Sequence, residues 1–198
     1  MLETIPPVTA RPEVLEFLLT RRSRPARTLT LPVPTRDELL PILAAAVRVP
    51  DHGKLEPWRL VVLEKPALDR LAGLARDRGA ALALDAERVA KGVAQFADSN
   101  LAVVVVKCPR PTEKVPEIEQ VLSTGAVCLS LLNAAQAAGW GANWLTGWMY
   151  GDADFAREGL GLLSGEWVAG TIHIGTEGAV PPDRPRPDLN RIVTWVSE

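Results

Sequence analysis

The chain has 198 residues, a formal net charge of −2, and hydrophobic and charged contents of 47% and 23%, values typical of an ordinary globular protein. The slightly acidic balance argues against a general binder of nucleic acids or of acidic membranes. Two cysteines, Cys108 and Cys128, give neither a disulfide framework nor a zinc spacing, so we expect one cytoplasmic domain over residues 1–198, with no metal site and no membrane span.

Two helices are predicted in the first fifty residues. Pro12 is tolerated in the first turn of a helix, and Pro25 cannot continue that helix. Its apolar stripe consists of Val14, Leu15, Leu18 and Leu19. Thr35 followed by Glu38 is the signature of a capping box, and it predicts a second helix that stops before Pro50. The buried face of this second helix is expected to contain Leu39, Leu40, Ile42, Leu43, Ala46 and Val47.

The middle of the chain predicts two strands around a helical region. Residues 60–63 form a short apolar run that indicates a buried strand. The alanine- and arginine-rich residues 67–97 indicate one or two helices, broken near Gly79 or Gly92. Residues 101–108 contain four consecutive valines, which favour a strand covered on both faces.

The second half of the chain adds one long helix and further strands. Residues 118–138 are apolar on nearly every side, so we expect a central helix that Gly139 terminates. Residues 141–148 and 167–175 indicate strands, and residues 190–196 indicate a final strand-like segment. Helices and strands are mixed without a regular βαβ alternation, so the predicted fold class is α+β.

A cationic and aromatic joint lies between the second helix and the first strand. It runs Arg48-Val-Pro-Asp-His52-Gly-Lys54-Leu-Glu-Pro-Trp58-Arg59, and prolines near both ends keep it stiff. A stiff loop with these side chains suits a flat, anionic ligand. The alternative is a polar connector with a proline at each end.

Few other residues suggest chemistry. Arg21, Arg22 and Ser23 end the first helix, where guanidinium groups either bind phosphate or complement the helix dipole. His173 lies in an apolar strand and is better explained as a core histidine than as a ligand. The sequence contains no nucleophile elbow, Walker loop, dinucleotide fingerprint or metal-ligand cluster.

In combination, these motifs resemble the flavin-dependent nitroreductase family, and most closely its small, single-domain bacterial subgroup. The resemblance rests on Arg-Arg-Ser at 21–23, Arg-x-Pro-Asp-His at 48–52, Pro-Trp-Arg at 57–59, Gly-x-x-Trp at 141–144 and Gly-Thr at 175–176. It implies a central, mostly antiparallel sheet flanked by helices, and a homodimer in which a C-terminal arm, residues 181–196, is exchanged between subunits.

The resemblance also assigns residues to the cofactor FMN. In the family, the segment matching 21–23 holds the phosphate and the ribityl chain, and the segment matching 144–146 runs beside the isoalloxazine ring. Arg48 and His52 match loop positions that reach FMN, some of them from the other subunit, and Arg186 matches a basic contact on the phosphate side. The FMN-binding residues implied in this way are Arg21, Arg22, Ser23, Arg48, His52, Trp144, Leu145, Thr146 and Arg186.

The chemistry implied by the resemblance is reduction by NAD(P)H of a nitroaromatic, quinone-like or other conjugated electrophile, in a ping-pong cycle. The flavin N5 carries this chemistry, so no catalytic side chain is expected. Two alternatives stay open: other flavin chemistry on the same fold, such as dehalogenation or flavin breakdown, and a non-catalytic dimeric flavin-binding module. Trp144 and Trp148 are either walls of the acceptor site or core aromatics.

One feature of the larger family members is missing. They carry a lysine near flavin N1 and O2 a few residues after the Arg-x-Ser motif, whereas residues 24–27 here are Arg-Pro-Ala-Arg. A cation at that edge stabilises the reduced flavin. Arg48 or Lys54 is expected to replace the missing lysine.

Overall fold

The computed structural model describes residue 5 and residues 7–198. The helices are α1 Pro12–Thr20, α2 Arg36–Ala46, α3 Lys65–Ala81, α4 Ala86–Ala97, α5 Glu117–Ala137 and α6 Leu189–Ile192. The strands are β1 Leu29–Thr30, β2 Trp58–Glu64, β3 Leu101–Lys107, β4 Gly141–Leu145 and β5 Trp167–Glu177.

One antiparallel sheet organises the chain. Its strand order is β1-β5-β3-β2, and β4 also pairs with β5. Each of the four strand pairings is antiparallel, which confirms the predicted α+β class. All seven residues of β3 are buried, as the valine run predicts, because helices cover both faces of the sheet at its centre.

Two apolar layers hold the sheet between helices. On one face, Phe96 of α4, Leu68 of α3 and Phe155 pack against β3. On the other face, α2 and α5 pack against β3, β4 and β5, and Leu131 and Ile172 are fully buried in that layer. The layers alternate along β3, where successive side chains point to opposite faces.

The cap and most of the buried face of α2 form as the sequence predicts. The Thr35 hydroxyl accepts a hydrogen bond from the Glu38 amide at 3.3 Å, and the Glu38 carboxylate accepts one from the Thr35 amide at 2.8 Å. Leu39, Ile42 and Ala46 are buried. The expectation for Leu40 is wrong: its side chain is 61% exposed.

The predicted helix break near Gly79 or Gly92 is also wrong in its position. Residues 82–85 separate α3 from α4, and both glycines lie inside helices. A Cβ at Gly79 would lie 2.7 Å from Val89, and one at Gly92 would lie 2.5 Å from the indole nitrogen of Trp148. The glycines therefore permit close packing rather than a break.

The final segment differs from the prediction. Residues 190–196 form no strand in this chain, because Leu189–Ile192 form a helical turn that Asp188 caps by accepting a hydrogen bond from the Asn190 amide at 3.0 Å. The side chains that follow are exposed, including Trp195 at 91%. Within one chain the segment has no strand partner, so its backbone bonds locally.

The helix α5 begins after Pro116 and ends at a C-cap, Ala138, followed by Gly139 with φ +88°, as predicted. Among the helices of the described residues, only α5 is long and apolar enough to cross a membrane. Val127, Cys128 and Leu131 of α5 are buried against the sheet, and a core helix of this length passes the same test.

We expect the Gly92→Ala variant to lose about 1–3 kcal/mol of unfolding free energy, as overpacked core substitutions do. The Trp148 indole cannot move aside without losing its hydrogen bond to the Arg88 carbonyl at 3.1 Å. Gly73→Ala is the matched control, since no described atom lies within 4 Å of its Cβ position and alanine favours a helix by about 1 kcal/mol. Urea denaturation measures both variants, and an increase in stability for both would contradict the packing role of Gly92.

Candidate functional site

The residues that follow α1 lie along β4. The Arg24 amide donates to the Ala142 carbonyl at 2.9 Å. The Gln136 side chain, near the end of α5, donates to the Arg22 carbonyl at 2.8 Å. These bonds bring the predicted 21–23 segment to the same edge of the sheet as the predicted 144–146 segment.

An arginine cluster, consisting of Arg21, Arg22, Arg24 and Arg186, lies at this edge. Arg21 is half-buried and donates to the Gln136 amide oxygen at 3.1 Å and to the Ser23 hydroxyl at 3.2 Å. Burial lowers the pKa of Arg21, and the charges of Arg186, Arg22 and Arg24 lower it further. The structure therefore places Arg186, from the C-terminal arm, beside the N-terminal motif.

Two carboxylates balance part of this positive charge. Arg24 bonds Glu177 at 2.7 Å, and Arg186 bonds Asp183 at 2.7 Å. The Arg22 Nε atom is buried and has no hydrogen-bond partner among the described residues. Guanidinium groups crowded in this way are suited to bind an anion bidentately.

The cavity at the cluster has a volume of about 320 Å³, and its lining includes Arg21, Arg22 and Arg24. A second cavity, of about 400 Å³, begins at Pro25, the residue after Arg24. Its lining consists of Pro25, Ala26, Arg27, Lys91, Ala94, Gln95, Asp98, Ser99, Asn143 and Leu145. The Gln95 amide donates to the Thr146 carbonyl at 3.0 Å. The Gln95 amide oxygen is buried and has no partner among the described residues, so it is free to accept a hydrogen bond from a ligand.

The sequence analysis missed Arg27, Lys91 and Gln95 as site residues. Lys91 and Gln95 belong to α4, which carries no motif, and they meet β4 only through the packing of α4 on the sheet. Four residues separate Lys91 from Gln95, a spacing that puts both on one helix face. That spacing is the only local signal of their shared position.

The two tryptophans beside β4 pack against glycines. The Trp144 indole occupies the space above Gly170, where any Cβ would clash with it. The Trp148 indole lies on Gly92 and donates to the Arg88 carbonyl. Of the two predicted roles, this packing favours that of core aromatics.

His52 lies away from the arginine cluster within one chain, and Arg48, four residues before it, is exposed. The His52 Nδ1 atom is 2.7 Å from the Glu119 carboxylate, in the first turn of α5. Arg21 instead bonds Gln136, at the other end of α5. The helical rise over these 17 positions separates the two ends by roughly 25 Å, so one chain does not bring His52 and Arg21 together.

The described part of the chain shows neither a metal-binding cluster nor a reactive thiol. No group of three His, Cys, Asp or Glu side chains there is placed to hold a metal ion. Burial raises the pKa of Cys108 to about 11 and that of Cys128 to about 12. Both thiols are therefore protonated at neutral pH and are poor nucleophiles.

His173 is buried in β5, as a core histidine should be, but its ring is only half satisfied. Its Nδ1 atom is 3.0 Å from the Ser99 hydroxyl. Its Nε2 atom is buried and has no hydrogen-bond partner among the described residues. Burial lowers the pKa of His173 to about 4, so the imidazole is neutral at physiological pH.

The fold is that of an α+β protein, and the guanidinium groups crowded at the edge of its sheet are suited to bind an anion. The sequence matches the Nitroreductase family over residues 18–176, and the chain belongs to this family. The match confirms the predicted resemblance and gives the coarse function, that of an oxidoreductase.

Two curated relatives share the name "Putative NAD(P)H nitroreductase". The relative from Haemophilus influenzae is 36% identical over 166 residues, which cover 83% of this chain and 88% of the relative. The relative from Escherichia coli K12 is 32% identical over 165 residues, with the same shares of coverage.

Solved structures share the fold at lower sequence identity. A nitroreductase-like family protein from Bacillus cereus has a TM-score of 0.76 at 22% identity, covering 98% of this chain and 99% of that one. A structure from Desulfovibrio desulfuricans, solved in complex with FMN, has a TM-score of 0.71 at 22% identity, covering 96% and 99%. These likenesses confirm the nitroreductase-like fold.

The buried histidine predicts a pH dependence of stability. The unfolded chain takes up a proton on this side chain near pH 6.5, whereas the buried ring does so only near pH 4. The unfolding free energy should therefore fall as the pH drops through this window, by about 3 kcal/mol in total. Denaturation at several pH values measures the loss, and the His173→Asn variant, which lacks the titrating group, should lack this part of it. Equal losses in the two proteins would contradict the assignment.

Proposed function

We propose that this protein is an FMN-dependent oxidoreductase that uses NAD(P)H to reduce nitroaromatic, quinone-like or other conjugated electrophiles. The main observation behind the proposal is the arginine cluster, which crowds four guanidinium groups together, and three of them line one cavity. The names of the two curated relatives and the FMN complex of the Desulfovibrio structure support it.

The arginine cluster fits a phosphate group. A phosphate dianion beside Arg21, Arg22 and Arg186 would relieve the repulsion that lowers the pKa of Arg21. The buried Nε atom of Arg22 is available for a charge-assisted hydrogen bond. Ser23, whose hydroxyl contacts Arg21, adds a neutral donor for the phosphate or the ribityl chain.

The second cavity fits the polar edge of a flavin ring. Arg27 and Lys91 are the two cations in its lining, and we assign to them the role of the missing lysine, in place of Arg48 or Lys54 of the same chain. The amide oxygen of Gln95, which has no partner among the described residues, accepts from a ring N–H, and Leu145 and Thr146 of the neighbouring segment flank the ring. Trp144 lies on the other face of β4, where it packs on Gly170. When bound, FMN supplies the redox chemistry by accepting a hydride from NAD(P)H at N5 and then reducing the acceptor.

A second copy of the chain completes the proposed site. His52 lies too far from Arg21 to share a ligand within one chain. It is exposed, as is Arg48, so we place both at the cavity of a partner subunit. The α1 stripe, which includes Leu15 and Leu19 at 59% and 73% exposure, supplies apolar surface for such an interface.

The C-terminal arm fits the edge of a partner's sheet. In the described residues β2 pairs with β3 alone, so its outer edge is free to add a strand. Beside that edge lies a groove of about 540 Å³ whose apolar lining includes Leu40 and Val62. Ile192, Trp195 and Val196 of the arm are exposed, and we propose that they cover this groove in the partner by strand addition.

The visible spectrum of the purified protein tests the function. We expect a yellow protein that bleaches when NADH or NADPH is added anaerobically, and an Arg21→Ala variant that binds FMN roughly 10- to 100-fold more weakly, because a charged hydrogen-bond donor to the phosphate is lost. Fluorescence titration gives the dissociation constants.

Arg157→Ala is the matched control, because Arg157 is exposed and, among the residues that the structure describes, pairs only with Asp154 and Glu158 of its own turn. It should bind FMN as the unmodified protein does. A colourless protein that FMN does not reconstitute would overturn the proposal. Bound FMN that no nicotinamide bleaches would instead favour the non-catalytic flavin-binding module.

The Ile192→Asp variant tests the arm. A carboxylate at this position cannot enter an apolar groove, so we expect the dimer to dissociate and FMN retention to fall. Light scattering coupled to gel filtration measures the mass. Leu163→Asp is the control, since Leu163 is 71% exposed outside the arm and should leave the dimer intact. A dimeric Ile192→Asp protein would contradict the assignment.

A further inference from the structure

A hydroxyl–imidazole pair, Ser99 and His173, lies at the cavity that Arg27, Lys91 and Gln95 line, and it is not among the proposed FMN-binding residues. Ser99 is buried at 7% exposure and lines the cavity, whereas His173 is buried at 1% and lies one hydrogen bond behind it. Asn143, opposite His173 in the ladder between β4 and β5, lines the same cavity. Opposed residues of antiparallel strands share a sheet face, so this face presents both side chains toward the cavity.

We assign the donor in this pair from the acceptor within reach of the serine hydroxyl. The Ser99 hydroxyl donates to the Leu101 carbonyl at 3.3 Å, so its oxygen accepts from the Nδ1–H of the neutral imidazole at 3.0 Å. A distance of 3.3 Å is long for an O–H···O hydrogen bond, which ordinarily measures about 2.5–3.0 Å. The Ser99 hydroxyl would therefore donate to a better acceptor in the cavity instead of to the Leu101 carbonyl, while the hydrogen bond from His173 stays in place.

We propose that Ser99, oriented by His173, donates a hydrogen bond to the carbonyl-bearing edge of the flavin in this cavity, with His173 as a positioning residue. This inference rests on the proposed function. The pyrimidine edge of a flavin carries two carbonyl oxygens and gains negative charge on reduction. A neutral donor there binds the reduced cofactor more tightly than the oxidised one, and it complements Arg27 and Lys91.

The imidazole acts through the serine alone. Because the Nε2 atom of His173 has no described partner, the Ser99 hydroxyl is the one polar contact that fixes the ring. Replacement by asparagine places an amide near the position of Nδ1 and keeps a donor to Ser99. Replacement by leucine keeps the approximate volume and removes the donor.

The experiment measures FMN affinity and the midpoint potential of bound FMN for Ser99→Ala, Ser99→Thr, His173→Asn and His173→Leu. We expect Ser99→Ala and His173→Leu to weaken FMN binding about three- to tenfold, the effect of one hydrogen bond, and to make the potential more negative. Ser99→Thr keeps the hydroxyl, and His173→Asn keeps the donor, so both should stay close to the unmodified protein.

The outcomes separate this inference from the proposed function. An unmodified protein that does not bind FMN overturns the proposed function and the inference with it. An unmodified protein that binds FMN, with Ser99→Ala unchanged in both affinity and potential, overturns the inference alone. Thermal unfolding confirms that each variant is folded, and Ser99→Ala with its threonine control decides the result if His173→Leu does not fold.

Discussion

β5 pairs with three strands, β1, β3 and β4, and these pairings set the positions of the other elements. β5 bonds β3 and β4 over residues 167–175 and β1 beyond them. This arrangement leaves the outer side of β4 to the segment after α1, which bonds it through the Arg24 amide. The Trp144 indole packs against Gly170 of β5, and Glu177 at the end of β5 bonds Arg24. The candidate site is therefore built along one strand.

The charges at the candidate site and its unpartnered buried polar atoms both favour binding of an anionic ligand. Crowded guanidinium groups repel each other, and the carboxylates of Asp183 and Glu177 offset only part of that repulsion. The Arg22 Nε atom of the cluster and the Gln95 amide oxygen at the second cavity are buried without partners in the described chain. Unsatisfied buried polar groups are costly. An anionic ligand with a polar ring edge would satisfy the charges and these atoms together.

The candidate FMN-binding residues lie at opposite ends of the long helix α5. The joint that carries His52 lies at its start, and the arginine cluster lies at its end, where Gln136 bonds Arg21. A rigid helix of this length cannot bring the two sets together. The exposed apolar side chains of α1 and of the C-terminal arm supply the surface through which a second copy would do so.

Features that depend on contacts between residues close together in the chain could be predicted from the sequence. These are the capping box at Thr35, the buried valine strand, the end of α5 at Gly139, the α+β class and the family motifs. Three other features became visible only in the folded structure. Gly79 and Gly92 permit close packing, α4 brings Lys91 and Gln95 to β4, and residues 189–192 are helical in one chain. The physical reason is distance along the chain: caps and hydrophobic runs act over a few residues, whereas these features depend on contacts between segments that only the packed sheet brings together.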